Sequence, residues 1–178
     1  MIQKKICMVG AFGVGKTSLV ARYVHSIFSE KYHTTVGVKI DKKVVPTAAG
    51  DVTLVLWDLA GEDALTTVRP SHLRGSSGYI LVVDGSRRKT LDVAVDLHAR
   101  VTQAVGPVPF LCVMNKADLR DSWELQQSDV DDVTRRGWTV VETSAKTGAA
   151  VEEMFRMLAD AMMQRHDVDD SKAGAIAG

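Results

Sequence analysis

Residues 10–17 read Gly-Ala-Phe-Gly-Val-Gly-Lys-Thr, which fits the pattern G-x-x-x-x-G-K-[ST] at every fixed position. The residue types explain what such a run can hold. Gly10, Gly13 and Gly15 let the backbone fold into a cup whose amide N–H groups converge on phosphate oxygens. A helix starting near Gly15 adds its positive dipole end. Lys16 supplies an ammonium for the β- and γ-phosphates, and the Thr17 hydroxyl is placed to ligate Mg²⁺. The plainer alternative is a glycine-rich turn. Its context argues otherwise, because an apolar run at 6–9 leads in and an amphipathic stretch at 18–24 leads out.

Three more polar runs each follow an apolar segment: Asp58-Leu59-Ala60-Gly61 after 52–57, Asn115-Lys116-Ala117-Asp118 after 110–114, and Thr143-Ser144-Ala145-Lys146 after 138–142. The elements that must position them are legible from hydrophobic period. Residues 2–9 read as a first strand and 16–26 as a helix with its stripe at Leu19, Val20, Tyr23, Val24 and Ile27. Residues 28–35 read as a loop. The segments 36–45 and 52–57, joined by a short turn, form an antiparallel hairpin. Residues 58–75 mix polar residues with Gly61 and Pro70 and read as containing a weak helix. Residues 79–83 and 110–114 are continuous apolar runs, as in buried parallel strands. A helix marked by Leu91, Ala94, Val95, Val101 and Val105 lies between them and stops before Gly106-Pro107. Residues 119–127 read as loop, 128–136 as a short helix and 138–142 as the last strand. Val151, Met154, Phe155, Leu158 and Met162 give a helical stripe, and residues 166–178 read as a flexible tail. Strands alternating with helices predict a doubly wound α/β sheet, whose ligands sit beyond the carboxyl ends of the strands. All four polar runs fall there.

On these runs, in this order and spacing, the chain over about residues 4–165 resembles the Ras-like small GTPases, most closely their Rab-like members. The resemblance implies a P-loop NTPase G domain over residues 1–165: a mostly parallel six-stranded sheet with one antiparallel edge strand. It extends the nucleotide contacts of the phosphate loop to Phe12, Val14 and Ser18. Guanine presents N1–H and N2–H₂ as adjacent donors, and the single carboxylate of Asp118 can accept both; adenine would leave it unpaired. By the resemblance, Asn115 ties loops together and the Lys116 stem packs along the base. Ser144 joins the base-binding set, the Ala145 N–H donates to guanine O6, Lys146 stacks on the base, and Phe28 packs against it edge-on.

The same resemblance makes Asp58 a Mg²⁺ holder through a water. It makes Gly61 an N–H donor to the γ-phosphate, and Thr35 a Mg²⁺ ligand that senses that phosphate. Lys16, Thr35, Gly61 and Glu62 form the implied catalytic set, and residues 28–37 and 59–75 become two switches ordered by γ-phosphate and Mg²⁺. Trp57 and Ile40 are candidates for an apolar effector surface, whereas Tyr79 reads as core. The chain departs from the family pattern twice. Glu62 stands where a glutamine usually orients the attacking water, and a carboxylate there faces a negative phosphate. Phe12 stands at a position that is often glycine, where a ring would crowd an arginine finger.

The expected function is a GTP-binding switch that hydrolyses GTP slowly; the alternative is a GTP-loaded scaffold with negligible turnover because of Glu62 and Phe12. A nucleotide kinase sharing the phosphate loop would need a second acceptor site and a basic lid, and the sequence offers neither. GTP or GDP, Mg²⁺, an effector, an exchange factor and a GTPase-activating protein are the expected ligands and partners. The 178 residues suit one domain, with 46% hydrophobic and 25% charged residues. Lys plus Arg equals Asp plus Glu at 22 each, which gives no bulk charge for nucleic acid. Cys7 and Cys112 lie in apolar runs and read as core, and the five histidines lack metal-ligand spacing. Ile2 at the N-terminus and a C-terminus without cysteine offer no lipid anchor. The expectation is a cytoplasmic, soluble monomer that meets membranes through a partner.

Overall fold

The computed structural model describes residues 2–31, 34–63 and 67–176, with side chains through Arg165. The elements run β1 (Ile2–Gly10), α1 (Lys16–His25), β2 (Val38–Thr47), β3 (Gly50–Leu59), α2 (Pro70–Leu73) and β4 (Gly78–Asp84). They continue with α3 (Lys89–Val105), β5 (Phe110–Asn115), α4 (Gln127–Arg135), β6 (Val140–Glu142) and α5 (Val151–Ile176). The sheet order is β2-β3-β1-β4-β5-β6. β2 and β3 pair antiparallel and the other neighbours pair parallel. This is the doubly wound, six-stranded α/β sheet expected, with β2 as the antiparallel edge strand. Pro46 sits in that edge strand, where its missing N–H is tolerated.

Alternating side chains of β1 feed two cores. Ile6 and Met8 join α1 and α5 on one face, where Tyr23 stacks on Phe155 at 4.0 Å. Cys7 and Val9 join α3 on the other face, with Leu91, Ala94, Leu97 and Val101. Both cysteines are buried and free, and burial pushes the Cys112 thiol up to about 12. Tyr79 is buried and stacks on Phe110 at 5.1 Å, so it is core.

Several boundaries differ from the sequence reading. β3 runs on to Leu59 because its pairing with β2 continues to Val38 and the Ala60 N–H then donates to Gly37 O at 3.0 Å. Asp58 is therefore a strand residue. β6 is shorter than 138–142, since the Trp138 N–H donates back to Val133 O of α4. A short 3-10 turn, Ala117–Ser122, replaces the start of the expected loop. The helix at 128–136 is well founded: Gln126 and Asp129 form a reciprocal capping box at the start of α4. The backbone of residues 166–176, read as tail, continues α5; no proline and no glycine before Gly174 interrupts it. Residues 177–178 of that tail lie outside the described residues, as do positions 32–33 and 64–66 within the two expected switches. Among the described residues no helix is long and apolar enough to cross a membrane.

Candidate nucleotide-binding site

The carboxyl ends of β1, β3, β5 and β6 open onto one cleft of about 420 Å³, a volume suited to a small-molecule ligand. Its floor is the loop from β1 to α1. Gly15 caps α1 with φ +102, and a Cβ there would lie 2.3 Å from the Asn115 amide nitrogen, so glycine is required by both backbone and space. Lys16 is buried, and its Nζ donates to Gly10 O at 3.1 Å and Ala11 O at 3.0 Å. Burial lowers the Lys16 ammonium to about 8, a fall partly offset by Asp58 and deepened by Arg87. A phosphate beside it would favour the charged form.

Thr17 lies in the first turn of α1, Thr35 on the loop before β2, and Asp58 near the end of β3. The Thr17 hydroxyl donates to Asp58 Oδ2 at 2.6 Å and lies 2.7 Å from the Thr35 hydroxyl, with Thr35 Oγ1 3.5 Å from the same carboxylate oxygen. Asp58 is fully buried, and its Oδ1 has no hydrogen-bond partner among the described residues. Burial raises its carboxyl above the usual range, against the pull of Thr17 and Lys16. Two hydroxyls and a buried carboxylate with an unpartnered oxygen form a hard, all-oxygen donor set that fits Mg²⁺.

At the opposite end, Asn115 links three segments. Its amide donates to Val14 O at 3.0 Å, while its Oδ1 accepts from the Thr143 hydroxyl and the Ala145 N–H, both at 3.2 Å. The Ala145 N–H assigned to guanine O6 is thus directed at Asn115 in this arrangement. The Ser144 hydroxyl donates to Asp118 Oδ1 at 2.6 Å and accepts from the Thr147 N–H. Ser144 therefore acts on Asp118 from behind rather than lining the cleft. Lys116 stands in the left-handed region with φ +69, and its Nζ pairs with Asp84 at 2.7 Å. Lys146 pairs with Glu30 at 3.1 Å, and Phe28 lines the same end beneath the Arg22 guanidinium.

The described lining includes Phe12, Gly13, Gly15, Lys16, Thr17, Ser18, Phe28, Thr35, Gly61, Asn115, Lys116, Asp118, Ala145 and Lys146. Gly10, Val14, Asp58 and Ser144 sit behind it. Val14 turns its side chain into the core and offers its carbonyl to Asn115. Glu62, named with the implied catalytic set, stands outside the described lining. Gly61 lies so close to the phosphate loop that a Cβ would fall 2.5 Å from Phe12 Cα and 3.0 Å from Lys16 Nζ. Glu62 then pairs by backbone, its N–H donating to Gly10 O and its carbonyl accepting from the Phe12 N–H, each at 3.0 Å. Its carboxylate, however, turns to α3: Oε1 pairs with Arg100, and Oε2 accepts from the Val68 N–H at 3.4 Å. The attraction of a guanidinium decides the direction.

Sequence reasoning missed four positioning residues. Arg22 donates to the carbonyls of Ala145 and Lys146. The Trp123 indole donates to Lys116 O at 2.9 Å. Asp84 and Arg87, at the end of β4, hold Lys116 and the Phe12 carbonyl. None belongs to a short motif; an Asp ending a buried strand was the one visible signal.

The Ras family model matches residues 5–164. Ras-related protein Rab-7L1 of Rattus norvegicus is 35% identical over 179 residues, covering 94% of this chain and 86% of that protein. Ras-related protein Rab-32 of Homo sapiens is 33% identical over 172 residues, covering 91% and 76%. Ras-related protein Rab-7b of Bos taurus is 30% identical over 169 residues, covering 93% and 84%.

Proposed function

The chain belongs to the Ras family, and from that premise we propose that it is a GTP-binding switch whose own hydrolysis of GTP is slow. Members of this family are GTP-binding GTPases that depend on Mg²⁺ and work through effectors, exchange factors and activating proteins. The observation that carries the reading for this chain is the single cleft running from Lys16 to Asp118. A phosphate cradle and a carboxylate suited to guanine lie at its two ends.

The steps follow from the residues. The loop amides and Lys16 hold the β- and γ-phosphates and offset their charge, mostly by positioning and electrostatics. Thr17, Thr35 and Asp58 would hold Mg²⁺, which supplies further neutralisation of phosphate charge when bound. The Gly61 N–H approaches the γ-phosphate because no side chain stands in the way. Thr35 reaches Thr17 and Asp58 from the loop before β2, so loss of the γ-phosphate would remove one of the contacts that order that loop. Slow hydrolysis is supported by the Glu62 carboxylate, which faces Arg100 rather than the cleft. An effector surface is supported by Val36 (90% exposed) and Ile40 (49%) beside the switch, with Trp57 half-buried under the Lys5 ammonium at 3.6 Å.

The test is to identify the nucleotide retained on purification and then to follow single-turnover hydrolysis of bound GTP with Mg²⁺. Retained GDP or GTP and a slow rate above that of GTP in solution are expected. Preference for ATP would overturn the reading, and a rate at the solution background would leave a GTP-loaded scaffold.

A further inference from the structure

The turn between β4 and α3 contains a charge cluster that the family motifs do not account for. Asp84 ends β4 and is 1% exposed at its side chain. Its Oδ1 accepts from the Ser86 N–H at 2.9 Å and the Ser86 hydroxyl at 2.6 Å. Its Oδ2 accepts from two cations, Lys116 Nζ at 2.7 Å and Arg87 Nε at 2.9 Å. Arg87 then reaches across with Nη2 to donate to the Phe12 carbonyl of the phosphate loop at 2.8 Å. Thr90 fixes the turn from below, donating to Arg87 O at 2.8 Å and accepting from the Asp84 N–H at 2.9 Å.

We infer that Arg87 is a positioning residue for nucleotide retention: its planar fork ties the phosphate loop to Asp84, the same buried carboxylate that anchors Lys116 beside the base. The inference rests on the nucleotide-binding reading above. A guanidinium presents its donors on separate nitrogens of one rigid plane and so spans two acceptors that lie apart, whereas the donors of an ammonium radiate from a single nitrogen. Burial alone would raise the Asp84 carboxyl, but the Lys116, Ser86 and Arg87 contacts outweigh it and hold the group below its usual value, so the anchor stays charged. Arg87 itself is 45% exposed, so its loss removes the tie without opening the core. Its effect should therefore fall on the phosphates and spare base choice, because Asp84 retains Lys116.

The experiment measures release of GDP and the preference for GDP over IDP, which lacks the 2-amino group, in the full chain with Mg²⁺. Arg87→Ala should speed GDP release about tenfold, the size expected for one charge-assisted bond at a half-exposed site. Its GDP-over-IDP preference should match wild type, and its melting temperature should fall by no more than the lost GDP affinity accounts for. Arg87→Lys keeps the charge without the fork and should recover only part of the slow release. Unchanged release in Arg87→Ala overturns the inference. So does full recovery in Arg87→Lys, which would make charge alone sufficient, or a fall in base preference together with the melting temperature, which would mean general loosening. A wild-type chain that holds no guanine nucleotide would instead overturn the site reading itself.

Discussion

The two ends of the cleft are built differently. At the base end, Asp118, Asn115 and Ala145 are fixed by hydrogen bonds to one another and to neighbouring loops, and Arg22 of α1 and Trp123 brace them from outside. At the other end, among the described residues, Thr35 reaches the Thr17 hydroxyl and the Asp58 carboxylate from the loop before β2, and Glu62 is held by two backbone bonds, the Val68 N–H and an ion pair with Arg100. Segments with few buried contacts open at low free-energy cost. On the proposed reading, base recognition rests on side chains braced by their neighbours, whereas sensing of the last phosphate rests on side chains carried by the segments flanking β2 and following β3.

That contrast predicts its largest effects where the frame is rigid. Lys16→Ala removes a buried cation whose partners would be phosphates, and such losses cost about 3–5 kcal/mol. Affinity for GDP and GTP should fall roughly a thousandfold by equilibrium titration, and an unchanged affinity would remove the phosphate cradle from the account. Asp118→Asn should lower guanine affinity about a hundredfold and shift preference toward xanthine nucleotides, whose base presents an acceptor where guanine has a donor. Retained guanine preference would place base recognition elsewhere.

A smaller effect separates the ends by pH. The Lys16 ammonium is lowered by burial to about 8 in the ligand-free pocket, and bound phosphate favours its charged form. Below pH 8 the lysine is charged with or without nucleotide, and affinity should be flat. As pH rises through 8 the free pocket loses the proton that binding must restore, so GDP affinity should fall by up to about tenfold per pH unit. Titrations from pH 7 to 9.5 check this. A flat profile would mean that Lys16 is charged in the empty pocket.

Much of the rigid end was legible in the sequence because its chemistry is local. Lys16 and Thr17 follow their glycines directly, and Asn115 to Asp118 leave a buried strand in one unbroken run. The sheet was legible for a similar reason: the apolar runs of β4 and β5 exclude other placements. What was not legible depends on residues far apart in the chain. The Ser144 contact to Asp118 spans 26 positions, and the reach of Arg87 to the Phe12 carbonyl spans 75. The length of β3 was fixed by pairing with β2, and the firmness of α4 by a Gln126–Asp129 box outside the usual Ser/Thr–Glu form. Glu62 shows the limit most clearly. Its type announced a departure, but its direction was decided by Arg100, 38 residues away.

The ion pair between Glu62 and Arg100 therefore carries the smallest and most diagnostic prediction. A partly exposed pair of this kind contributes about 0.2–1 kcal/mol, enough to direct a side chain but not to hold the fold. Glu62→Gln removes both the attraction to Arg100 and the repulsion from γ-phosphate, leaving an amide able to orient water. Intrinsic hydrolysis should rise several-fold, with nucleotide affinity within about twofold of wild type because the backbone bonds of residue 62 persist. Arg100→Ala frees the carboxylate but leaves the repulsion, so its rise should be smaller, about twofold. Single-turnover rates for both variants decide the matter. Equal rates in all three proteins would detach Glu62 from hydrolysis. A loss of affinity in either variant would mean that the γ-phosphate end belongs to the rigid frame, and the difference between the two ends would disappear.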